Sequence, residues 1–195
     1  MATPERPGLD WEPTSRYPVR LCGDRVELRE WEPQDRSGVA DYARDPEVSR
    51  YLIRSAAELA AEPEMVLAEA HGHGASRTTY RLAVGLRNGG TAIGSALLDV
   101  ESPRHHRAEL GYILRREHWG QGLGTEIGRL LMAFGFEELG LHRLWATCHP
   151  DNRASARVLE KIGMIFEGKL RECYLGHDGG WHDALLYAAV RDGAA

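Results

Sequence analysis

The sequence predicts a single α/β (α+β) domain that contains a mixed, mostly antiparallel sheet. Its 195 residues suit one such domain, and they contain no internal repeat and no second predicted core. Two strand-like runs flank the Asn-Gly-Gly sequence at 88–90, which is the pattern of a β-hairpin. Two later stretches with helical spacing of apolar residues enclose another strand-like run. Strands and helices are therefore expected to share one core.

The composition is that of an ordinary globular protein, with 43% hydrophobic and 27% charged residues. The net charge of -5 argues against nucleic-acid binding, which usually needs a basic surface. No apolar run approaches the ~20 residues of a membrane span, and the N-terminus does not read as a secretion signal. We therefore expect a cytoplasmic protein without membrane or nucleic-acid partners. Three widely spaced cysteines predict neither a disulfide framework nor a thiolate metal site.

The first 74 residues predict an arm, a strand and three helices. The segments are an arm over 1–18, a strand over 19–29 that turns at Gly23-Asp24, and helices over 33–43, 45–52 and 55–70. Asp45 followed by Pro46 is typical of a helix start, because Asp caps the first N–H groups and Pro fits the first turn. Pro63 predicts a disturbance in the third helix, since proline lacks the N–H that the helix needs. Residues 71–74 predict a flexible loop.

The central sheet is predicted from residues 80–114. Apolar and other residues alternate over 80–86, which indicates a half-buried strand. Gly89 and Gly90 supply the positive φ angles of a tight turn, and residues 91–100 return as the second strand. After a polar loop over 101–107, residues 108–114 are predicted to form a third strand.

The C-terminal half predicts two helices and three more strands. An apolar stripe with i, i+3, i+4 and i+7 spacing marks the first helix: Ile127, Leu130, Leu131 and Phe134. Gly140 is expected to end it, and residues 141–148 follow as a strand. The second helix has Asp151 or Asn152 as its cap, buries Val158, Leu159 and Ile162, and ends at Gly163. Strands over 164–175 and 181–190 close the chain.

A glycine-rich turn, Trp-Gly-Gln-Gly-Leu-Gly-Thr-Glu at 119–126, lies between the third central strand and the first of these helices. The first N–H groups of a helix have no partner within it, and the helix dipole adds partial positive charge, so such a turn can bind phosphate. The spacing fits neither the Rossmann nor the Walker pattern. The turn is therefore either a phosphate site for another ligand or only a tight turn.

Five motifs in this order resemble the GNAT N-acetyltransferase superfamily, specifically its RimJ/RimL-type branch. They are AELGYIL at 108–114, WGQGLGTE at 119–126, LHRLWATCHPDNRAS at 141–155, RVLEKIGMIFEGKLRE at 157–172 and DGGWHDALLYA at 178–188. The resemblance implies an N-acetyltransferase domain over 19–191 with a twisted sheet flanked by helices. It also implies an acyl-CoA cleft between two splayed strands that end near Leu114 and Cys148.

The resemblance further implies which residues hold the acyl-CoA. Backbone groups of Ile113 and Leu114 would pair with the pantetheine arm, while Asn152 and Ser155 would face the pantetheine and the sulfur. The pyrophosphate would be held by five backbone amides: those of Gln121, Gly122, Leu123, Gly124 and Thr125. Trp119 stands where the broader superfamily has Gln or Arg, which removes one side-chain contact to phosphate.

Acyl transfer from a thioester needs a neutral amine, donors to the developing oxyanion and a proton for the leaving thiolate. Glu109 is the candidate that accepts the amine's proton, through water; otherwise it anchors a loop or pairs with an arginine. Ser155 and Tyr174 are candidate donors to the thiolate, and Ser155 can equally be a serine that satisfies the first helical turn. By resemblance, the main-chain N–H near Leu114 is the oxyanion donor.

The resemblance implies acetyl transfer from acetyl-CoA to a primary amine, first of all a protein N-terminus of the ribosomal-protein-alanine kind. A small amine (an amino acid, a polyamine or an antibiotic) is the alternative acceptor, and a CoA-binding module without turnover is the alternative function. No metal is expected, since the pairs His71/His73 and His105/His106 lie in loops without a third ligand. A homodimer is expected by resemblance alone.

Overall fold

The computed structural model describes residues 18–69, 77–176 and 178–191. Residues 1–17 of the predicted arm and the predicted loop over 71–74 lie outside these residues. Among the described residues, no helix is both long and apolar enough to span a bilayer.

Within the described residues, eight strands form one sheet in the order β1-β2-β3-β4-β5-β6-β8-β7. In chain order they are β1 Arg20–Cys22, β2 Val26–Arg29, β3 Thr79–Leu86, β4 Gly94–Ser102, β5 Arg107–Leu114, β6 Arg143–Cys148, β7 Ile165–Leu175 and β8 Trp181–Val190. Neighbouring strands are antiparallel except β5 and β6, which are parallel. The predicted mixed, mostly antiparallel sheet is confirmed.

Helices cover both faces of this sheet. The α-helices of the described residues are α1 Arg36–Ala43, α2 Pro46–Ser49, α3 Ala56–Glu69, α4 Leu123–Ala133 and α5 Arg153–Lys161. Short 3₁₀ turns lie at Pro33–Asp35, Pro103–His105 and Arg116–His118, and a π-helical turn, Phe134–Glu138, extends α4.

The two parallel strands separate after a short pairing. They pair only from Arg107 opposite Arg143 to Glu109 opposite Trp145. β5 then continues to Leu114 alongside β4, and β6 continues to Cys148 alongside β8. The expected cleft between two splayed strands is therefore present, and it opens directly after Glu109.

Two apolar clusters hold the layers together. The larger lies between the sheet and α4 and includes the predicted stripe, with Ile127 and Leu131 fully buried. The smaller joins Val39, Tyr42 and Val66 of α1 and α3 to the other face of the sheet. Because side chains alternate along a strand, β5 contributes side chains to both clusters and lies between them. The strand that carries Glu109 is thus fixed from both sides.

The structure corrects one predicted interruption and two predicted boundaries. α3 runs without interruption through Pro63, because Leu59 before it and Val66 after it are both buried and hold the helix in place. α2 ends at Ser49, where a turn closed by the Leu52 N–H replaces the predicted extension to 52.

The second strand of the hairpin begins at Gly94 instead of 91. The Ala92 N–H donates to the buried Asp35 carboxylate at 2.9 Å, so this residue is drawn away from the ladder. The predicted helix ends are confirmed, since Gly140 and Gly163 both have positive φ angles, 65° and 91°, just after their helices.

Candidate active site

A cavity of about 580 Å³ opens where β5 and β6 part. Its walls come from both strands, from the segment between α2 and α3, and from the β7–β8 hairpin. Five of the sequence-predicted site residues line it: Glu109, Ile113, Asn152, Ser155 and Tyr174. The glycine-rich turn and Leu114 are not among the lining residues, so the predicted phosphate site lies outside this cavity.

Glu109 occupies the last position at which β5 pairs with β6. Burial raises the pKa of the Glu109 carboxyl to about 7, and the neighbouring acids Glu101 and Asp99 act in the same direction. No hydrogen bond or ion pair joins its side chain to the described part of the chain, so the predicted alternative of pairing with an arginine finds no partner there. A carboxyl whose pKa lies near neutrality is suited to accept a proton from an amine.

Tyr174 reaches from β7 across to β6. Its phenol oxygen lies 3.0 Å from Thr147 Oγ1, and either group can donate this hydrogen bond. Burial raises the pKa of Tyr174; the hydrogen bond with Thr147 opposes this shift and the nearby Glu109 adds to it. The phenol is therefore protonated near neutral pH and close to Glu109. The sequence analysis did not identify Thr147. The one feature that could have indicated it is its position next to the last residue of β6.

Asn152 caps α5. Its side-chain oxygen accepts a hydrogen bond from the Ser155 N–H at 3.1 Å, which decides between Asp151 and Asn152 as the cap. The Asn152 side chain is therefore engaged with the helix start, whereas the Ser155 side chain lies at the cavity beside the Tyr112 phenol. Asn152 is thus the N-cap, Ser155 lies in the first turn of α5, and both line the cavity.

Tyr112 is a cavity residue that sequence reasoning missed. A Cβ on Gly124 would lie 2.9 Å from its phenol oxygen, so the ring packs against the first turn of α4. Burial raises the pKa of Tyr112 to about 12, the nearby Cys148 adds to this shift, and Ser155 opposes it. The Tyr112 phenol therefore lies between the starts of α4 and α5. The glycine at 124 was the available signal, because a larger residue there would collide with this ring.

The backbone of the glycine-rich turn leads directly into α4. Gly122 adopts φ 80° and forms the N-cap of α4, which begins at Leu123. The N–H of Thr125, one of the predicted phosphate donors, instead donates to the Gly122 carbonyl oxygen at 3.1 Å. Among the described residues, the N–H groups of Leu123 and Gly124 have no backbone acceptor and are available to a ligand.

Arg25, which was not identified from the sequence, lies against this turn. Its Nη1 donates to the Gln121 carbonyl oxygen at 2.8 Å, and its Nε donates to Glu126 Oε2 at 3.1 Å. A Cβ on Gly122 would lie 3.5 Å from Nη2, so the guanidinium borders the proposed anion site. The Glu126 carboxylate also accepts from the N–H groups of Arg25 and Val26, which ties the start of β2 to α4.

The ladder between β4 and β5 decides which backbone groups face the cleft. The Val100 N–H donates to the Thr78 carbonyl oxygen, so the backbone groups of even-numbered β4 residues point to β3. Odd-numbered β4 residues then bond to β5, and Ser95 bonds to Ile113. The backbone of Leu114, and not that of Ile113, therefore faces the cleft. The Leu114 carbonyl oxygen accepts a hydrogen bond from Trp119 Nε1 at 2.9 Å. The Leu114 N–H is therefore the backbone group that is left to bind a ligand in the cleft.

The remaining candidate groups show no further site. No cluster of three metal-ligating side chains occurs within residues 18–69, 77–176 and 178–191, and the His71/His73 pair lies outside them. The cysteines at 22, 148 and 173 are free, and burial raises the pKa of Cys148 to about 11, so its thiol is a weak nucleophile near neutral pH.

Comparison with known proteins identifies this arrangement. The family model described as the acetyltransferase (GNAT) domain matches residues 25–165. The chain belongs to the GNAT acetyltransferase family. The match includes β2 to β6, both cleft strands, the glycine-rich turn and α5. This GNAT domain is therefore an N-acetyltransferase with the splayed-strand cleft already described.

Relatives support the family, and a solved structure shares the fold. The chain is 30% identical over 175 residues to the uncharacterized N-acetyltransferase YoaA of Bacillus subtilis, covering 90% of this chain and 98% of that protein. It is 35% identical over 66 residues to the spermidine N(1)-acetyltransferase of Escherichia coli, covering 34% of this chain and 36% of that protein. The structure of Mycobacterium smegmatis RimJ in complex with CoA-disulfide has a TM-score of 0.75 at 21% identity, covering 90% and 89% of the two chains.

Proposed function

We propose that this GNAT acetyltransferase transfers an acetyl group from acetyl-CoA to a primary amine, with Glu109 as the proton acceptor. The observation that carries the proposal is the position of the Glu109 carboxyl together with its raised pKa. It is a partly buried carboxyl with a pKa of about 7, it lies where β5 and β6 separate, and no described side chain pairs with it. A structural carboxylate would be expected to have an arginine or amide partner instead.

The acyl-CoA is proposed to lie along the cleft with its pyrophosphate at the start of α4. The N–H groups from Gln121 to Gly124 are the proposed donors, and the helix dipole adds to their attraction. The Leu114 N–H is the proposed partner of the pantetheine arm or of the acetyl oxygen. Tyr112 and Ser155, which lie between the starts of α4 and α5, are the proposed contacts of the pantetheine arm near the sulfur.

Different residues are proposed to accept and to donate the protons that move during the reaction. The amine nitrogen forms a bond to the acetyl carbon, and the bond between that carbon and the CoA sulfur breaks. Glu109 takes the proton that the amine loses, directly or through a water molecule. The Leu114 N–H stabilises the developing oxyanion, and Tyr174 or Ser155 donates a proton or a hydrogen bond to the leaving thiolate.

The acceptor is proposed to be a protein N-terminus, as in the RimJ/RimL-type enzymes that the motifs resemble. A small amine is the alternative, and the partial match to a spermidine acetyltransferase is the observation that favours it. The homodimer that the resemblance implies stays a prediction.

Acetyl transfer tests the proposal. The protein is incubated with acetyl-CoA and two acceptor panels, peptides with free N-termini and small primary amines, and acetylated products are measured by mass spectrometry. We expect transfer to peptides that is lost when the N-terminus is blocked. Transfer only to small amines would overturn the protein acceptor. Binding of acetyl-CoA without transfer to any amine would overturn the enzyme proposal and favour a CoA-binding module.

A further inference from the structure

The cavity wall formed by α3, β3 and the segment before α3 contains two arginines near one buried carboxylate. Glu62 of α3 is 3% exposed. Arg54 Nη1 lies 3.3 Å from Glu62 Oε2, and Arg81 Nη1 lies 3.9 Å from Glu62 Oε1. All three residues line the cavity that contains Glu109. Two guanidinium groups against one carboxylate leave this wall with a net positive charge.

Arg54 donates hydrogen bonds within the protein, whereas Arg81 donates none to the described residues. Arg54 also donates from Nη2 to the Glu58 carbonyl oxygen at 3.0 Å. Arg81 makes no hydrogen bond with the described residues, and Glu62 at 3.9 Å is the nearest acid paired with it there. Its guanidinium therefore has hydrogen-bond donors left for a ligand.

The other charged side chains of the cavity are paired with near neighbours. Arg50 Nη1 lies 3.7 Å from Glu47 Oε2. His182 Nε2 lies 2.9 Å from Asp178 Oδ1 at the β7–β8 hairpin. Asp183 pairs with Lys169 outside the cavity. Among the described residues that line the cavity, Glu109 has no paired charge, and Arg81 is the arginine that lies farthest from its acid.

The sheet register places Arg81 and Glu109 on the same face. Arg81 lies opposite Leu97, and Leu97 lies opposite Gly111, two residues from Glu109. Adjacent strands are ~4.8 Å apart and residues rise ~3.4 Å along a strand, so the two Cα atoms are roughly 12 Å apart. A Cβ on Gly111 would meet no atom within 4 Å, so this face of β5 is open beside Glu109, and Arg81, Gly111 and Glu109 line the same cavity.

From this placement the geometry points to an acceptor that carries an anionic group, a carboxylate or a phosphate, a few bonds from its amine. Arg81, which shares Glu62 with Arg54, binds the anionic group while the amine faces Glu109. This inference rests on the proposed amine acetylation. A guanidinium fork matches both anions by paired hydrogen bonds. A polyamine such as spermidine would instead bring a second cation against Arg81, so this cavity selects against it.

The test compares acceptors that differ only in one charge. In the peptide arm, Ala-Glu-Ala-amide is compared with Ala-Gln-Ala-amide; in the amino-acid arm, alanine is compared with alaninamide after correction for the fraction of free amine. Spermidine is the cationic acceptor. We expect kcat/KM to be at least about tenfold higher for the acidic member of one arm, about 1.4 kcal/mol. The arm that shows this preference identifies whether the anionic group belongs to a peptide or to a free amino acid.

Arg81→Gln is expected to reduce this preference by about tenfold while leaving the KM of acetyl-CoA unchanged. Arg81→Glu is expected to favour spermidine. Arg143→Gln is the matched control, because Arg143 is also a strand arginine paired with a glutamate, but it lies outside the cavity. The wild-type comparison is decisive even if an Arg81 variant does not fold.

The outcomes separate this inference from the proposed function. Equal use of the acidic and neutral acceptors, a preference for spermidine, or an Arg81→Gln variant that keeps the full preference would overturn the inference and leave amine acetylation standing. In that case Arg81 serves only to neutralise Glu62. If no amine of any charge is acetylated, the proposed function fails, and the inference fails with it.

Discussion

Arg25 donates a hydrogen bond from Nη1 to the Gln121 carbonyl oxygen at 2.8 Å, and so it connects the start of β2 to the glycine-rich turn. The same guanidinium pairs with Glu126 in the first turn of α4. This contact orders the backbone that we propose to hold the pyrophosphate. It also places a positive charge beside that anion.

Replacing Arg25 should therefore weaken cofactor binding without affecting the chemistry. We expect Arg25→Gln to raise the KM of acetyl-CoA by about five- to tenfold, with kcat and the KM of the amine nearly unchanged. Because the Arg25 side chain is 53% exposed, the effect should decrease at high salt. Arg104→Gln, at an exposed position near the opposite end of β5, is the control. An unchanged KM for acetyl-CoA would show that Arg25 has only a structural role.

The pH dependence of the reaction tests the role of Glu109. Wild-type kcat/KM should rise as the Glu109 carboxyl loses its proton around its pKa of about 7. Glu109→Gln should lack this rise and should be slowest relative to the wild type near about pH 8. The difference should narrow at higher pH, where free amine is abundant without a base. A variant with the wild-type profile would remove Glu109 from the mechanism.

The same carboxyl should make folding stability depend on pH. Its pKa is about 7 in the folded protein against 4.5 for the ordinary side chain, so the folded state binds this proton more tightly. The resulting stabilisation is complete below about pH 4.5 and is lost as pH rises through about 7. Compared with the wild type, Glu109→Gln should therefore gain melting temperature as pH is raised from about 5 to about 8. A difference in melting temperature that does not change with pH would contradict the raised pKa.

The two candidate donors to the thiolate can be separated by mutation. If Tyr174 donates, Tyr174→Phe should lower kcat by about 10²-fold or more, whereas Ser155→Ala should have a small effect. Thr147→Val, which removes the partner of the Tyr174 phenol, should lower kcat less than Tyr174→Phe does. The reverse order, with Ser155→Ala the slower variant, would assign the donor role to Ser155.

Local patterns predicted the elements well because each depends on nearby residues. The apolar stripe around Ile127 and Leu131 identified α4, and Asn152 was one of two predicted caps of α5. Pro63 misled the prediction, since the packing of α3 on the sheet outweighs the cost of one missing hydrogen bond.

The site was predictable only in part, because much of it is formed by residues distant in sequence. Glu109 and Tyr174 were found through motifs and do line one cavity. Arg25 contacts a turn 96 residues away, and no local pattern indicates this pair. The position of Arg81 relative to Glu109 depends on the register of three strands, which the alternation of side chains alone does not fix.

The most direct test of the account is calorimetric titration of acetyl-CoA into the folded protein, with NAD and ATP as controls. We predict saturable binding of acetyl-CoA alone, weakened more than about tenfold by Gly122→Val. Gly122 has φ 80° beside the proposed anion site, so its control is Gly140→Val, where φ is 65° beyond the opposite end of α4 and a Cβ would meet no atom within 4 Å. This control should bind like the wild type. If the folded wild-type protein does not bind acetyl-CoA, or if folded Gly122→Val binds it equally well, the proposed pyrophosphate site at the start of α4 is wrong.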